Sequence, residues 1–214
     1  MAKIDSLEPL MIEELRDILD AEKQVTKALP KMARAASSEQ LKAAFQEHQR
    51  QTSDQIVRLN QVFEHIGERP RGKTCEAMKS LIEEGQQMME ETEPGPTRDA
   101  ALIASAQKVE HYEMAAYGTA RTFASLLGHR EAADLLEETL EQEKQTDVRL
   151  TGIAESMTNP QAAGEDAENV RGSGAGSMRG RASSAAGRSR ATGRGAAKKT
   201  ASRGRTTGRA KSRG

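Results

Sequence analysis

The sequence predicts an all-α protein: a four-helix bundle with an extra short crossover helix, plus a disordered C-terminal tail. Three observations carry this. Leu, Ala, Met, Glu, Gln and Lys dominate the first 157 residues, and such side chains lose little rotamer freedom in a helix. Apolar residues recur there at spacings of three and four, the period of a helix with one buried face. From about Gln161 the period is lost, and Arg171 to Gly214 is almost wholly Gly, Ala, Ser, Thr, Arg and Lys. That composition buries too little apolar surface to order a backbone. The expected division is residues 1–160 for the bundle and 161–214 for the basic tail.

The first segment, about Leu7 to Ala35, lines up Ile4, Leu7, Met11, Leu15, Ile18, Val25, Leu29 and Met32, with Asp5 or Ser6 as its cap. Glu22 falls on that apolar line, and Pro30 predicts a kink or a break. The second opens on Ser37-Ser38-Glu39-Gln40, a capping box. Its line of Leu41, Phe45, Ile56, Leu59, Phe63 and Ile66 is interrupted by His48 and Thr52, and Gly67 and Pro70 stop it. A shorter amphipathic stretch, about Thr74 to Glu91, reads as the crossover helix, and Glu93-Pro94-Gly95-Pro96 breaks the chain after it. The third long segment, about Thr97 to Leu127, carries Leu102, Ala106, Val109, Tyr117, Ala120, Ala124 and Leu127. Glu113 lies on that line, Glu110 lies on or beside it, and Gly128 ends the segment. The fourth, about Arg130 to Met157, carries Leu136, Leu140, Leu150, Ile153 and Met157, with Glu143 and Asp147 at successive positions of the same line. Asn159-Pro160 is expected to end it. A shift of 91 residues places Glu22 on Glu113, Thr52 on Glu143 and Arg58-Leu59 on Arg149-Leu150. This is the pattern of two helical hairpins related by an approximate two-fold axis.

The formal net charge of zero conceals two electrostatic halves. Arg171 to Gly214 holds 13 Lys and Arg and no Asp or Glu, so the other 170 residues hold 19 basic against 32 acidic side chains. No apolar run of about 18 residues is present, which argues against a membrane span. The single Cys75 excludes an internal disulfide and, with an N-terminus lacking a signal-peptide core, fits the cytoplasm.

Each long segment therefore places polar side chains where its apolar line assigns the core: Glu22; His48 with Thr52; Glu110 with Glu113; Glu143 with Asp147. All fall near mid-helix, and such positions share a height in an antiparallel bundle, so they can converge. Five buried carboxylates cannot all ionise at neutral pH without cations, and no Lys or Arg sits on the same lines. Two divalent ions would supply that charge, and an oxygen-rich set with one imidazole suits iron or manganese. The candidate metal residues are Glu22, His48, Glu110, Glu113, Glu143 and Asp147. The 91-residue offset favours Glu113, as the bridging candidate, over Glu110 as an accessory ligand. Gln51, Thr52, His111 and Tyr117 are the candidates for hydrogen bonds behind those ligands. The competing reading is structural: one charge on a helix stripe is commonly a boundary position, and buried carboxylates can share protons and water. A set on every helix favours metal.

Ala21-Glu22-Lys23-Gln24 with Ala28-Leu29-Pro30-Lys31-Met32, Phe45 to Thr52 with Arg58-Leu59, Glu110-His111-Tyr112-Glu113 with Ala116-Tyr117-Gly118-Thr119, and Glu143 with Asp147 carry a resemblance. Over about Leu7 to Met157 the chain resembles the YciF/YciE-like stress proteins, a branch of the ferritin-like superfamily. The resemblance implies a ferritin-like bundle with a candidate di-metal carboxylate centre, an additional crossover helix, a homodimer and a stress-linked role. The general ferritin-like pattern has Glu on two helices and Glu-x-x-His on the other two. Here no Glu lies three residues before His48, Thr146 stands where a His is expected, and Gln51 is neutral. The expected chemistry is that of a di-iron or di-manganese oxidoreductase of peroxidase, ferroxidase or catalase-like kind. The alternative is a nucleoid-associated or structural bundle without catalytic metal.

In the tail, Arg188, Arg190, Arg194, Lys198, Lys199, Arg203, Arg205, Arg209, Lys211 and Arg213 alternate with small residues. Such a segment neutralises phosphates, and without aromatics it has nothing to stack on bases. Non-specific DNA or RNA binding, with nucleoid association, is the expectation. Docking of the tail on the acidic body of another subunit is the competing one.

Overall fold

Spacings of three and four resolve into five helices: α1 Leu7–Ala35, α2 Glu39–His65, α3 Glu76–Glu91, α4 Pro96–Leu127 and α5 Arg130–Ile153. They come from a computed structural model that describes residues 4–165. The basic tail from Arg171 onward, with its ten candidate nucleic-acid residues, lies outside the described residues. Local chemistry sets the helix ends. Ser38 caps α2 by accepting the Leu41 N–H, and Cys75 caps α3 through a sulfur contact with the Met78 N–H. Pro96 occupies the first turn of α4, where a missing N–H costs nothing, and Gly128 ends α4 at φ +85°.

Two prolines depart from expectation. Pro30 does not interrupt α1, which continues to Ala35. The proline removes one intrahelical bond, but Val25, Leu29 and Ala33 are buried on either side of it and hold the helix in place. Nor does Asn159-Pro160 stop the last helix. Ala154–Thr158 widens into a π turn, with the Asn159 N–H donating to the Ala154 carbonyl, and helix then continues through residue 165. A proline ring clashes with the carbonyl four residues back in a regular α-helix, and the wider turn sits where that clash would fall. The helical part thus reaches five residues into the stretch assigned to the tail from sequence.

The helices α1 and α5 each pack against both α2 and α4, so the four long helices enclose one core, while α3 lies against α1 and α4. Short turns make α1–α2 and α4–α5 antiparallel hairpins. Asp99, near the start of α4, accepts the backbone N–H groups of Ser37 and Ser38, just past the end of α1, at 2.7 Å each. α1 and α4 therefore run antiparallel, and α2 and α4 run the same way. The connection containing α3 carries the chain back between them.

The core is divided. One buried apolar cluster takes Val25, Leu29, Leu41, Phe45, Leu102 and Leu150. The other takes Met11, Leu15, Leu59, Phe63, Tyr117 and Leu136. On every long helix the polar candidates fall between the two: Glu22 on α1, His48 and Thr52 on α2, Glu110 and Glu113 on α4, Glu143 on α5.

Candidate metal centre

The polar layer begins with residues that a helix period points inward. Glu22, His48, Glu110, Glu113 and Glu143 are all buried. Ligand atoms of His48, Glu110, Glu113 and Glu143 lie within 4.8 Å of one another, a group that could hold a metal ion. His48 Nε2 sits 3.1 Å from Glu110 Oε1 and 4.0 Å from Glu143 Oε2. Glu22 closes the layer from α1, where Tyr117 donates its hydroxyl to Glu22 Oε1.

The layer is short of hydrogen bonds. Among the described residues, seven buried side-chain atoms of these five residues have no partner: Glu22 Oε2, His48 Nε2, Glu110 Oε2, and both oxygens of Glu113 and Glu143. Orphaned buried acceptors are rare because each forfeits its hydration without return. Burial, reinforced by neighbouring carboxylates, pushes the Glu113 and Glu143 carboxyls well above the usual range. Burial raises Glu22 to about 7, against the lowering effect of the Tyr117 hydroxyl and His48. For His48 burial is the largest influence and pulls the imidazole down, yet Glu110, Glu22 and Gln51 together outweigh it and leave the group raised.

The imidazole is held from behind. Thr146 Oγ1 donates to the Gln142 carbonyl at 3.1 Å and lies 3.5 Å from His48 Nδ1. With its hydrogen so engaged, Thr146 accepts from Nδ1–H, so Nε2 is the ring nitrogen turned to the carboxylates. Thr52 is buried and donates to its own helix, at the His48 carbonyl. Gln51 lines a polar cavity that leads to His48 and Glu110.

Glu22 lies in the layer beside the four-residue group rather than in it, and two further candidates are turned away from the layer. Asp147 is partly exposed, accepts from Gln107 Nε2 at 3.0 Å, and lies 3.4 Å from His111 Nε2. The cause is geometric: four residues over-rotate an α-helix by about 40°, which carries Asp147 from the line of Glu143 to the flank facing α4. His111, with a side chain 65% exposed, pairs with Asp147 at the surface and supports no member of the group. Glu110, expected to be accessory, is as central as Glu113.

Two contributors escape a reading of stripes. Gln55 is fully buried and its amide reaches Gln142 Oε1 at 3.3 Å. Its amide, near the Glu143 carboxyl, also opposes the rise of that group. Arg58 crosses from α2 to α5 and lowers Glu22 electrostatically. The 91-residue offset marks Arg58, whereas nothing but a seven-residue step from His48 marks Gln55.

Comparison with known proteins agrees with this architecture. A family model described as Domain of unknown function (DUF892) matches residues 6–163. Protein YciF of Escherichia coli (strain K12) is 50% identical over 158 residues, covering 73% of this chain and 95% of that protein. The crystal structure of the E. coli stress protein YciF matches with a TM-score of 0.69 at 51% identity, over 71% of this chain and 96% of that one. YcfI from Rhodopseudomonas palustris matches with a TM-score of 0.68 at 41% identity, over 70% and 95% of the two chains.

Proposed function

The chain belongs to the DUF892 family of YciF-like stress proteins, and from that premise we propose that its bundle holds two iron or manganese ions and handles peroxide, oxygen or iron under stress. The observation that carries the reading is the set of seven unpartnered buried atoms from five converging residues. Among the described residues no Lys or Arg forms an ion pair with these carboxylates. Four carboxylates, Glu22, Glu110, Glu113 and Glu143, carry four negative charges when ionised, which two divalent ions balance.

Each residue then has a distinct task. Glu113 and Glu143, whose carboxylate oxygens make no hydrogen bond, would hold the ions from α4 and α5. His48 presents Nε2, fixed by Thr146 behind it. Tyr117 fixes the rotamer of Glu22 and leaves its second oxygen to ligate. A reduced iron or manganese pair bound here supplies two electrons which, with two protons, turn one hydrogen peroxide into two waters.

Metal content per chain is the deciding measurement, on untagged protein purified without chelator. About two iron or manganese ions per chain are expected for a paired carboxylate site. Protein that carries none, and whose melting temperature is unmoved by Fe(II) or Mn(II), would sink the reading.

A second reading rests on charge asymmetry. The 13 basic residues of 171–214 share that stretch with no Asp or Glu, and we propose that this segment binds nucleic acid non-specifically. Gel shifts of full-length protein and a 1–165 truncation separate the possibilities. Binding that weakens steeply with salt and disappears on truncation supports the tail; equal, weak binding by both chains ends that idea.

A further inference from the structure

A buried centre needs a way in, and two unequal approaches reach it. A polar cavity of about 150 Å³ lies between α2 and α5, lined by Ala44, Gln51, Gln145, Thr146 and Arg149, with buried His48 and Glu110 at its inner end. An apolar cleft of about 30 Å³ reaches the same two residues beneath α3, past Ala28, Met32, Ile82 and Met89. One water needs roughly 10–15 Å³, so the polar cavity has room for about ten water-sized molecules and the cleft for two or three.

We infer that the α2–α5 cavity is the entrance through which a small hydrogen-bonding molecule of peroxide size reaches the centre, with Arg149 guarding its mouth. This rests on the metal reading above. His48 Nε2, beside Glu110 Oε1, and the unpartnered Glu110 Oε2, on side chains 4% and 2% exposed, close the inner end. The walls between offer amides and a hydroxyl. Among the described residues of the lining, Glu110 is the lone carboxylate and, apart from the His48 imidazole at the inner end, Arg149 the lone cationic group. A positive mouth admits neutral or anionic molecules and disfavours free divalent cations.

The approximate two-fold relation sharpens the point. The 91-residue offset maps Arg149 onto Arg58, and His48 and Gln51 onto Thr139 and Gln142. On that related side Arg58 crosses from α2 to α5 and donates to Thr139 Oγ1 at 2.9 Å, Gln142 Oε1 at 3.2 Å and Glu138 Oε1 at 2.5 Å. Its side chain is 12% exposed and plugs the gap. Arg149 is exposed, and beside it the cavity stands open. One half of the bundle is sealed by an arginine at the position where the other half keeps a passage.

The test uses the metal-loaded full chain, with azide as an equilibrium probe followed by absorption and hydrogen peroxide as a kinetic one. Ala44→Leu fills the polar cavity, Ala28→Leu fills the apolar cleft, and Arg149→Glu reverses the charge at the exposed mouth. Ala44→Leu is expected to keep wild-type metal content while azide affinity and the peroxide rate each fall roughly tenfold, whereas Ala28→Leu moves neither by more than about twofold. Arg149→Glu is expected to weaken azide binding roughly threefold at low salt and to speed Fe(II) uptake. Should Ala44→Leu fail to fold, the surface substitution Arg149→Glu decides alone. Wild-type azide and peroxide behaviour in both Ala44→Leu and Arg149→Glu, or a loss confined to Ala28→Leu, would overturn the entrance and leave the metal reading intact. Wild-type protein that takes up no metal overturns the metal reading, and the entrance with it.

Discussion

At the scale of the residue, Glu113 and Glu143 bury both carboxylate oxygens without a partner, which makes each a liability until a cation arrives. Glu113→Gln should therefore raise the stability of metal-free protein at neutral pH, by about 1–3 kcal/mol, because a neutral isostere need neither take up a proton on folding nor hold a charge among carboxylates. The same substitution should lower metal content and shrink the stabilisation that Mn(II) or Fe(II) confers; denaturation with and without metal reads both. Asp147→Asn makes the opposite test. Its carboxylate is already engaged by Gln107 and His111, so metal content should stay at the wild-type level by elemental analysis. A helix period is enough to mark Glu22, His48, Glu113 and Glu143, because each breaks a line that is otherwise apolar. It does not separate Glu143 from Asp147, since the stripe is wide enough to include the flank that faces α4. Nor does it mark Gln55, whose neutral amide matters only once the Glu143 carboxylate is beside it.

At the scale of the element, one carboxylate ties two hairpins together. Asp99 of α4 accepts two backbone N–H groups at the turn between α1 and α2, satisfying donors that would otherwise be stranded at the start of α2. Asp99→Ala should cost about 1–3 kcal/mol, since it removes two hydrogen bonds to a charged acceptor. Urea denaturation measures the cost, and folded Asp99→Ala protein should still bind metal, as the substitution lies outside the polar layer. The five helices are legible in the chain because capping residues and three-four spacings agree with one another at Ser38, at Pro96 and at Gly128. The two prolines are not legible in the same way. Whether Pro30 or Pro160 ends a helix depends on what packs around it and on a local π turn, and neither is written in the residues next to the proline.

At the scale of the whole molecule, the buried layer couples protonation to folding. Burial favours the protonated form of Glu22, so its carboxyl titrates near 7 in the folded protein against 4.5 when exposed. Between those values the folded chain holds a proton that the unfolded chain has released. The resulting stability is fully present below about pH 4.5 and is lost as pH rises through about 7. Glu113 and Glu143 act in the same direction. Metal-free protein should thus be less stable at pH 8 than at pH 5, by on the order of 3 kcal/mol from Glu22 alone, and Glu22→Gln should flatten the trend. Bound metal should reverse it, because cations compete with protons for the same oxygens.

The division of the core into two apolar clusters has a consequence for cooperativity. The two buried apolar clusters are separate, and what lies between them is a layer of crowded carboxyls around one imidazole. Ions held in that layer would act as a rivet between two half-cores, and their removal would let each half open separately. Hydrogen exchange should then show two groups of amides in the chelated protein, one around Leu29 and Leu102 and one around Leu15 and Ala120, each opening at its own rate. In the metal-loaded protein the two groups should merge into a single slow population.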